Sequence, residues 1–374
     1  MTNKINLLIV EDNTEQIKLY RDTIDDFNRM SNIEIKVEIS NNLKDGLEQI
    51  MNREGFDAAI IDLRLDSTDT EGSGKQIIRE IKGNLRFPIF VVTGYPGDLD
   101  EDLSEENYFY RIYERTEDTH EVLKEITDIY KTGITRIMGS RGIIEEKLVK
   151  IFWGNIAENM GYWKNGIIEE EKVEKILSRH ILAYLTESLK LTEEGEFEKC
   201  HPAEVYIIPP VKTYCFTGDI LKNKNTEEYF LILTPACDMV LRKKKENVEC
   251  ETYTNAEKII LVKLIKFNQN SDVRAYIDDP NNKTKIKAVE SYIKNKKKER
   301  YYFLPSFGSQ IPVLLIDFQD INGINPEDLN TYDRVASIHE PFLKDIIVKF
   351  TSYYARQGSP DLDIDIILKS LIND

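Results

Sequence analysis

Apolar and polar positions follow two alternating periods along the first third of the chain. Short apolar runs, such as INLLIV at 5–10, predict buried strands. The segments between them place apolar residues three and four positions apart, which predicts amphipathic helices. The predicted strands are 5–10, 34–39, 58–62, 88–94 and 107–113, and the predicted helices are 14–29, 43–51, 74–83 and 118–134. This order predicts an α/β fold, a doubly wound (βα)5 parallel sheet with helices on both faces.

The pattern changes after this first part. Residues 135–196 keep apolar positions at i, i+3, i+4 and i+7 with no strand between, which predicts two or three helices. From about residue 203 the chain is mostly strand-like, with helical segments near its end. We therefore predict an α/β domain over 1–133, a helical connector over 134–200 and a C-terminal mixed α+β domain over 201–374.

Charge, apolar runs and cysteine spacing make several classes of protein less compatible with this sequence. The formal net charge is −16, and residues 1–132 carry 29 acidic against 16 basic side chains. This acidity disfavours nucleic-acid binding by the first domain, because phosphate contacts need a basic face. No apolar run approaches 18 residues, and the N-terminus does not have the pattern of a secretory signal. The four cysteines form no CxxC pair, so we expect a cytoplasmic protein with no membrane span.

Polar side chains stand at the ends of three predicted strands. Glu11 and Asp12 follow the first strand, Asp62 ends the third and Thr93 ends the fourth. The carboxyl ends of parallel strands meet at one edge of a sheet, which is where such folds bind ligands. Several carboxylates close together repel one another unless a cation lies among them, and Mg²⁺ prefers oxygen ligands. The spacing therefore predicts a magnesium site at this edge.

This arrangement resembles the receiver domain of response regulators. The resemblance covers roughly residues 4–132 and rests on LLIVEDN with its acidic pair, AAIIDLRL with its aspartate, and IFVVTG with its threonine. It implies that Asp62 accepts a phosphoryl group from a sensor histidine kinase or another phosphodonor, and that Thr93 acts as the switch residue. It also implies that Glu11, Asp12, Asp62 and the backbone carbonyl of Arg64 hold Mg²⁺.

The segment after the fifth strand departs from the family pattern. Receivers place a lysine there, usually before a proline, whereas YFYRIYERTED contains neither. Arg115 lies closest to the expected position. If it replaces the lysine, we predict that it contacts the phosphoryl group and pairs with Asp62, lowering the pKa of that carboxyl. In the alternative, YERTED forms the edge of the domain, and Arg115 faces solvent without contacting the site. The loop DSTDTEGSG is also longer and more acidic than usual.

The C-terminal part contains no motif with a known chemistry. The segments LTPACDM and RVASIHEPFLKDIIVKFTSYYARQGSPD resemble stretches of uncharacterised bacterial proteins, which carry no function to transfer. A strand-end cysteine beside an aspartate is compatible with a nucleophile, although a buried cysteine is more often a small apolar residue. One hypothesis for this part is an effector enzyme, a nuclease or hydrolase, centred on Asp219, Cys237 and Asp238.

Three functions remain open from the sequence. The leading hypothesis is a two-component signalling regulator in a phosphorelay, whose receiver is phosphorylated on Asp62 and controls the C-terminal output domain. The second is a pseudo-receiver adaptor that binds a partner protein without phosphotransfer, and the third is the effector enzyme. In the first case the resemblance also implies that phosphorylation of Asp62 changes the oligomeric state. The family's usual surface for a homodimer is the face of the fourth and fifth strands and the helices beside them, and we expect some of its aromatic residues to be exposed contacts: Tyr108, Phe109, Tyr110 and Tyr113.

Overall fold

The chain forms two compact units, Met1–Glu198 and Lys199–Asp374. The computed structural model describes residues 4–52, 55–65, 72–139, 142–164, 169–190, 195–196, 199–243, 252–296, 299–356 and 360–373. Both the predicted 1–133 domain and the predicted 134–200 connector fall almost entirely within the first unit, so the division between them stays a prediction.

A five-stranded parallel sheet is the centre of the first unit. The elements around it are β1 Lys4–Val10, α1 Thr14–Met30, β2 Glu34–Ser40, α2 Leu43–Asn52, β3 Ala58–Ile61, α3 Gly74–Asn84, β4 Ile89–Thr93, β5 Tyr110–Glu114 and α4 Thr119–Lys131. The strand order is β2-β1-β3-β4-β5. Successive residues of a strand point to opposite faces, so Leu7 and Ile9 pack with α1 and α4, whereas Leu8 and Val10 pack with α2 and α3. This two-sided burial confirms the predicted α/β fold.

The connection between β4 and β5 differs from the regular alternation. It contains two single-turn 3₁₀ helices, Pro96–Asp98 and Glu101–Leu103, where a regular βα unit would place an α-helix. Ion pairs from α3 hold this acidic segment, since Arg79 pairs with Asp100 and with Asp102. The segment still buries Leu103 and packs Leu99 against the core beside α3, so its apolar side chains are covered without an α-helix.

The rest of the first unit is helical, as predicted. Its helices are α5 Ile134–Met138, α6 Ile143–Ile151, α7 Met160–Lys164 and α8 Glu170–Ser188, with a π-helical turn at Phe152–Ile156. Lys147 of α6 donates to the carbonyl of Ser188 at the end of α8 at 3.1 Å, and the Trp163 ring of α7 lies 5.4 Å from the His180 ring of α8. We call α6, the π-helical turn, α7 and α8 the helical hairpin.

The second unit is built on a seven-stranded antiparallel sheet. Its elements are β6 Tyr206–Ile207, β7 Asp219–Asn223, β8 Tyr229–Ile232, α9 Ala236–Met239, β9 Arg242–Lys243, β10 Thr252–Tyr253, β11 Ile259–Lys266, α10 Ser271–Asp278, α11 Lys283–Ile293, β12 Tyr301–Leu304, β13 Leu314–Ile324, β14 Tyr332–Ile338, α12 Glu340–Ala355 and α13 Ile364–Asn373. The strand order is β12-β13-β11-β8-β7-β14-β6. Helix α12 covers one face and buries Ile346 and Tyr353 against Phe318 and its neighbours. Strands and helices share this unit, which confirms the predicted α+β class.

Two expectations concern the whole chain. Within the described ranges, none of the helices combines the length and the apolar character that a membrane crossing requires. Cys200, Cys215 and Cys237 have free thiols, as expected for a chain without disulfides, whereas Cys250 lies outside the described residues.

Candidate functional site

The carboxyl edge of the parallel sheet gathers the polar residues that follow its strands. Hydrogen bonds continue the strand pairing one residue beyond the strands: Asp62 N–H donates to the Val10 carbonyl at 2.9 Å, and Arg115 N–H donates to the Thr93 carbonyl at 2.9 Å. The chain turns directly after the acidic pair, because the Asn13 side chain caps α1 by accepting from two of its backbone N–H groups. The strand ends therefore fix the backbone positions of the site.

The three predicted acids form one cluster. Glu11, Asp12 and Asp62 each contribute a carboxylate oxygen, and these oxygens lie within 4.8 Å of one another. Glu11 and Asp62 are only 1% and 4% exposed, although ionised carboxylates avoid burial unless they are paired. The cluster therefore brings three acidic groups together, two of them removed from water.

Arg115 lies against two of these acids. Its Nη2 is 2.6 Å from Asp62 Oδ2 and 3.1 Å from each carboxylate oxygen of Glu11. The other carboxylate oxygen of Asp62 accepts the Leu63 N–H at 2.8 Å. The structure therefore brings Arg115, the residue closest to the position of the family lysine, into contact with the predicted acceptor.

Burial raises the pKa of Glu11 and of Asp62. The pKa of Glu11 is raised to about 7, first by burial and then by the charge of Asp62, despite the nearby Arg115. The pKa of Asp62 is also raised by burial, which outweighs the hydrogen bond from Thr93 and the charge of Arg115. The expected lowering of the Asp62 pKa by Arg115 is therefore wrong in direction, because desolvation of this carboxyl exceeds the effect of its partner.

The donor set suits a hard divalent cation. Three carboxylates with oxygens at this separation offer the ligands that Mg²⁺ prefers. Glu11, Asp12 and Asp62 would hold Mg²⁺. The predicted carbonyl ligand of Arg64 stays a prediction. The side chain of Arg64 is bound elsewhere, with Nε 2.6 Å from Asp98 Oδ2 and the guanidinium 3.8 Å above the Tyr95 ring.

A Mg²⁺ titration tests this fit. We expect saturable stabilisation of the folded protein, of about 1.4 kcal/mol when free Mg²⁺ is ten times its Kd. Thermal unfolding with increasing Mg²⁺ measures it. Asp12→Asn should remove the stabilisation, and the exposed Glu15→Gln in α1 is the matched control that should keep it. An unsaturable response, or an equal response in Asp12→Asn, would show that the cluster binds no Mg²⁺.

Gly74 also belongs to the site, although its sequence pattern indicated only the start of a helix. It begins α3, and its N–H donates to the Leu63 carbonyl at 3.0 Å. A Cβ at this position would lie 2.0 Å from the Asp62 carbonyl oxygen. The available signal was a glycine placed at the start of a predicted helix, one of the positions where a backbone needs to approach another closely.

The four aromatic residues predicted to form a contact face at and before β5 divide into an exposed pair and a buried pair. Tyr108 and Phe109 are 87% and 49% exposed, whereas Tyr110 and Tyr113 are buried in the core. A cavity of about 370 Å³ lies beside Phe109 at the opposite, amino end of β4 and β5, lined by residues including Phe87, Pro88 and Met138. This cavity is remote from the carboxylates, so it does not belong to the acidic site.

The residues of the enzyme hypothesis have separate surroundings in the second unit. Asp219 is buried, and it accepts from the Ser337 hydroxyl at 2.5 Å and from the Phe216 N–H at 2.8 Å. Cys237 is exposed, and its thiol lies 3.8 Å from the neighbouring Asp238 carboxylate. These contacts tie Asp219 to β14 and to the turn before β7, so its burial is explained structurally. The effector-enzyme hypothesis stays a prediction.

Comparisons with known proteins concern the N-terminal part. No protein-family model matches the sequence, and no curated protein matches it. The N-terminal domain of a response regulator/sensory box/GGDEF protein from Carboxydothermus hydrogenoformans is 18% identical, with 34% of this chain and 98% of that chain covered and a TM-score of 0.26. The receiver domain of a sensor histidine kinase from Pseudomonas aeruginosa, with magnesium in its active-site cleft, is 16% identical, with 33% and 96% covered and a TM-score of 0.27.

A third similar structure is RcsB from Salmonella enterica serovar Typhimurium, bound to promoter DNA in the presence of a beryllofluoride phosphomimetic. It is 16% identical, with 49% of this chain and 98% of that chain covered and a TM-score of 0.28. At these identities and TM-scores, nothing about activity transfers from the three structures. The predicted fold rests on the chain's own sheet: its parallel order β2-β1-β3-β4-β5 is the flavodoxin-like doubly wound order that receiver domains share.

Proposed function

We propose that the N-terminal part is a phosphoryl-accepting receiver in which Asp62 is the acceptor. The observation that carries this proposal is the contact of the Arg115 guanidinium with Asp62 at 2.6 Å. It places a permanent cation where the negative charge of an incoming phosphoryl group would develop. Among the described residues, the buried Arg115 Nε has no hydrogen-bond partner, so a donor is available for a phosphoryl oxygen.

The reaction is the in-line transfer of a phosphoryl group from an oxygen or nitrogen atom of the donor to a carboxylate oxygen of Asp62. An ionised Asp62 oxygen attacks phosphorus, the new P–O bond forms, and the bond to the donor breaks with its electron pair leaving on the donor atom. The Leu63 N–H and Arg115 fix the two oxygens of the carboxylate before the attack. Arg115 and the Thr93 hydroxyl would donate to the transferred group. Bound Mg²⁺ would supply further neutralisation of its charge.

The partner of this reaction would be a sensor histidine kinase or a small phosphodonor. The output would belong to the Lys199–Asp374 unit, and the chain would act as a cytoplasmic two-component regulator. A buried acceptor suits this use. Phosphorylation converts the Asp62 carboxylate into a larger dianionic group. Arg115 and the Leu63 N–H, which hold the carboxylate, would have to shift to accommodate it.

Phosphoryl transfer from acetyl phosphate with Mg²⁺ tests the proposal. We expect intact-mass measurement to show one added phosphoryl group per chain, and peptide mapping after borohydride reduction to locate it on Asp62. Asp62→Asn should stay unmodified, and Asp57→Asn, at the other end of β3, should be modified like the wild type. A folded wild-type chain that takes up no phosphoryl group from acetyl phosphate or phosphoramidate would overturn the proposal.

A second candidate is favoured by the same ion pair. Arg115 already neutralises much of the charge of Asp62 and Glu11, so the site is compatible with a permanently paired state that needs no phosphoryl group. In that case the receiver fold would serve as an adaptor that binds a partner protein. The two candidates differ in the transfer assay, since the adaptor would remain folded and unmodified under conditions that phosphorylate a receiver.

A further inference from the structure

The helical hairpin leaves its apolar residues incompletely covered. Helix α8 has 19 residues, yet none of its described side chains, from Lys172 to Ser188, is buried. Its apolar positions include Val173, Ile176 and Ile181, which are half-buried. A helix of this length normally buries one face completely, whereas the contacts of α8 with α6 and α7 leave its described apolar side chains half-exposed.

Large apolar side chains of the hairpin are strongly exposed. Phe152 is 54% exposed and Trp153 is 69% exposed, and their rings pack edge to face at 5.1 Å. Further members of this exposed set are Val149 at 50%, Met160 at 41%, Tyr162 at 56% and Leu182 at 59%. Val149, Phe152 and Trp153 are spaced i, i+3 and i+4, so they form one stripe of the helix rather than scattered positions.

The π-helical turn contributes to this stripe. The Ala157 N–H donates to the Phe152 carbonyl at 2.9 Å, which is an i→i+5 bond, and Ile156 is buried at 4% exposure. A π-turn adds a residue to the helical turn and rotates the next residues of the helix about its axis. Here Ile156 turns into the core of the unit, whereas Phe152 and Trp153 remain exposed.

The size and charge of this surface indicate what covers it. Summed over the six side chains, the exposed area is on the order of 700 Å², close to one partner's share of a standard interface. Residues 142–190 carry 8 acidic and 7 basic side chains, so their net charge of −1 does not oppose self-association. By contrast, residues 1–132 carry −13 and would repel a second copy.

We propose that a second copy of this chain covers the helical hairpin, so that two hairpins form a four-helix bundle. Each hairpin supplies two long helical layers with apolar stripes, which is half of such a bundle. A two-fold axis makes the interface self-complementary, so the stripe around Trp153 is buried by the same hairpin of the other copy. This dimer does not depend on phosphorylation of Asp62, and its failure leaves the proposed phosphotransfer untouched.

The two tryptophans of the chain make this surface measurable. Trp153 and Trp163 both lie in the hairpin, and the sequence contains no others. Sedimentation equilibrium of the full chain, without phosphodonor, should give the mass of a dimer at micromolar concentration. Dilution should then shift tryptophan emission to the red and increase its quenching by acrylamide, in step with dissociation.

Charged substitutions locate the interface. Val149→Glu should weaken the dimer by roughly tenfold or more in Kd, because it places a carboxylate in the apolar stripe. Leu182→Glu tests the second helix independently, and Val211→Glu, at an 83% exposed valine of the other unit, is the matched control. A monomeric wild type, or a dimer of unchanged Kd in folded Val149→Glu and Leu182→Glu, would overturn the proposal.

Discussion

Replacing Gly74 with alanine is expected to destabilise the N-terminal unit strongly. The new Cβ would lie 2.0 Å from the Asp62 carbonyl oxygen and 2.9 Å from the Cα of Leu63. Both are backbone atoms of a segment fixed between β3 and the acidic cluster, so no side-chain rotation relieves the contact. Either α3 moves away from the sheet or the Asp62 backbone shifts. We expect a loss of about 3 kcal/mol or more in the free energy of unfolding.

Another glycine of the same helix is the control for this prediction. A Cβ at Gly83 would meet no atom within 4 Å, so Gly83→Ala should be neutral or stabilise by up to about 1 kcal/mol through helix propensity. Hydrogen exchange of the β3 amides, with denaturant melts of both variants, separates the two outcomes. Equal stability of Gly74→Ala and Gly83→Ala would show that α3 does not approach Asp62 as closely as described.

The geometry of parallel sheets explains why the acidic site was predictable. Once β1 and β3 are recognised as buried parallel strands, their carboxyl ends lie at one edge whatever the loops do. Glu11 and Asp62 follow those strands directly, so their positions in the sequence were enough to predict that they lie close together. Arg115 was predictable for the same reason, since it directly follows β5.

Features that depend on distant atoms were not predictable in this way. The direction of the Asp62 pKa shift reflects how completely this carboxyl is removed from water, a property of the whole packed site. The 3₁₀ turns that replace an α-helix between β4 and β5 are stabilised by pairs such as Arg79 with Asp102, which join segments 23 residues apart. In the second unit, β11 pairs with both β8 and β13, a non-local order that periodicity does not encode.

Replacing Arg115 with alanine is expected to separate phosphoryl uptake from cation binding. Uptake from acetyl phosphate should slow by about 10- to 100-fold, because a charged donor to the transferred group is lost. Arg115→Lys should keep much of the rate, since an ammonium supplies the charge without the bidentate geometry. Stopped-flow or mass-resolved time courses at saturating Mg²⁺ measure these rates.

The same variant should bind Mg²⁺ more tightly at alkaline pH, where Glu11 is ionised; loss of Arg115, whose charge lowers the pKa of Glu11, raises that pKa further, so the gain should fade as the pH falls. Nη2 of Arg115 contacts Asp62 at 2.6 Å and Glu11 at 3.1 Å, so the guanidinium competes with a metal ion for two of the three carboxylates. Removing it leaves those buried charges unpaired, which should lower stability without Mg²⁺ by about 1–3 kcal/mol and increase the stabilisation that Mg²⁺ provides.

Arg111→Ala controls for loss of a cation on the same strand, because Arg111 lies 3.8 Å from Glu106 and 3.7 Å from Glu125 rather than beside the acidic cluster. It should change neither the uptake rate nor the Mg²⁺ affinity. Faster uptake in Arg115→Ala would mean that the guanidinium blocks Asp62 instead of assisting it. The ion pair would then hold the site closed, and the adaptor function would be the better account of why this receiver fold carries an arginine in place of the lysine.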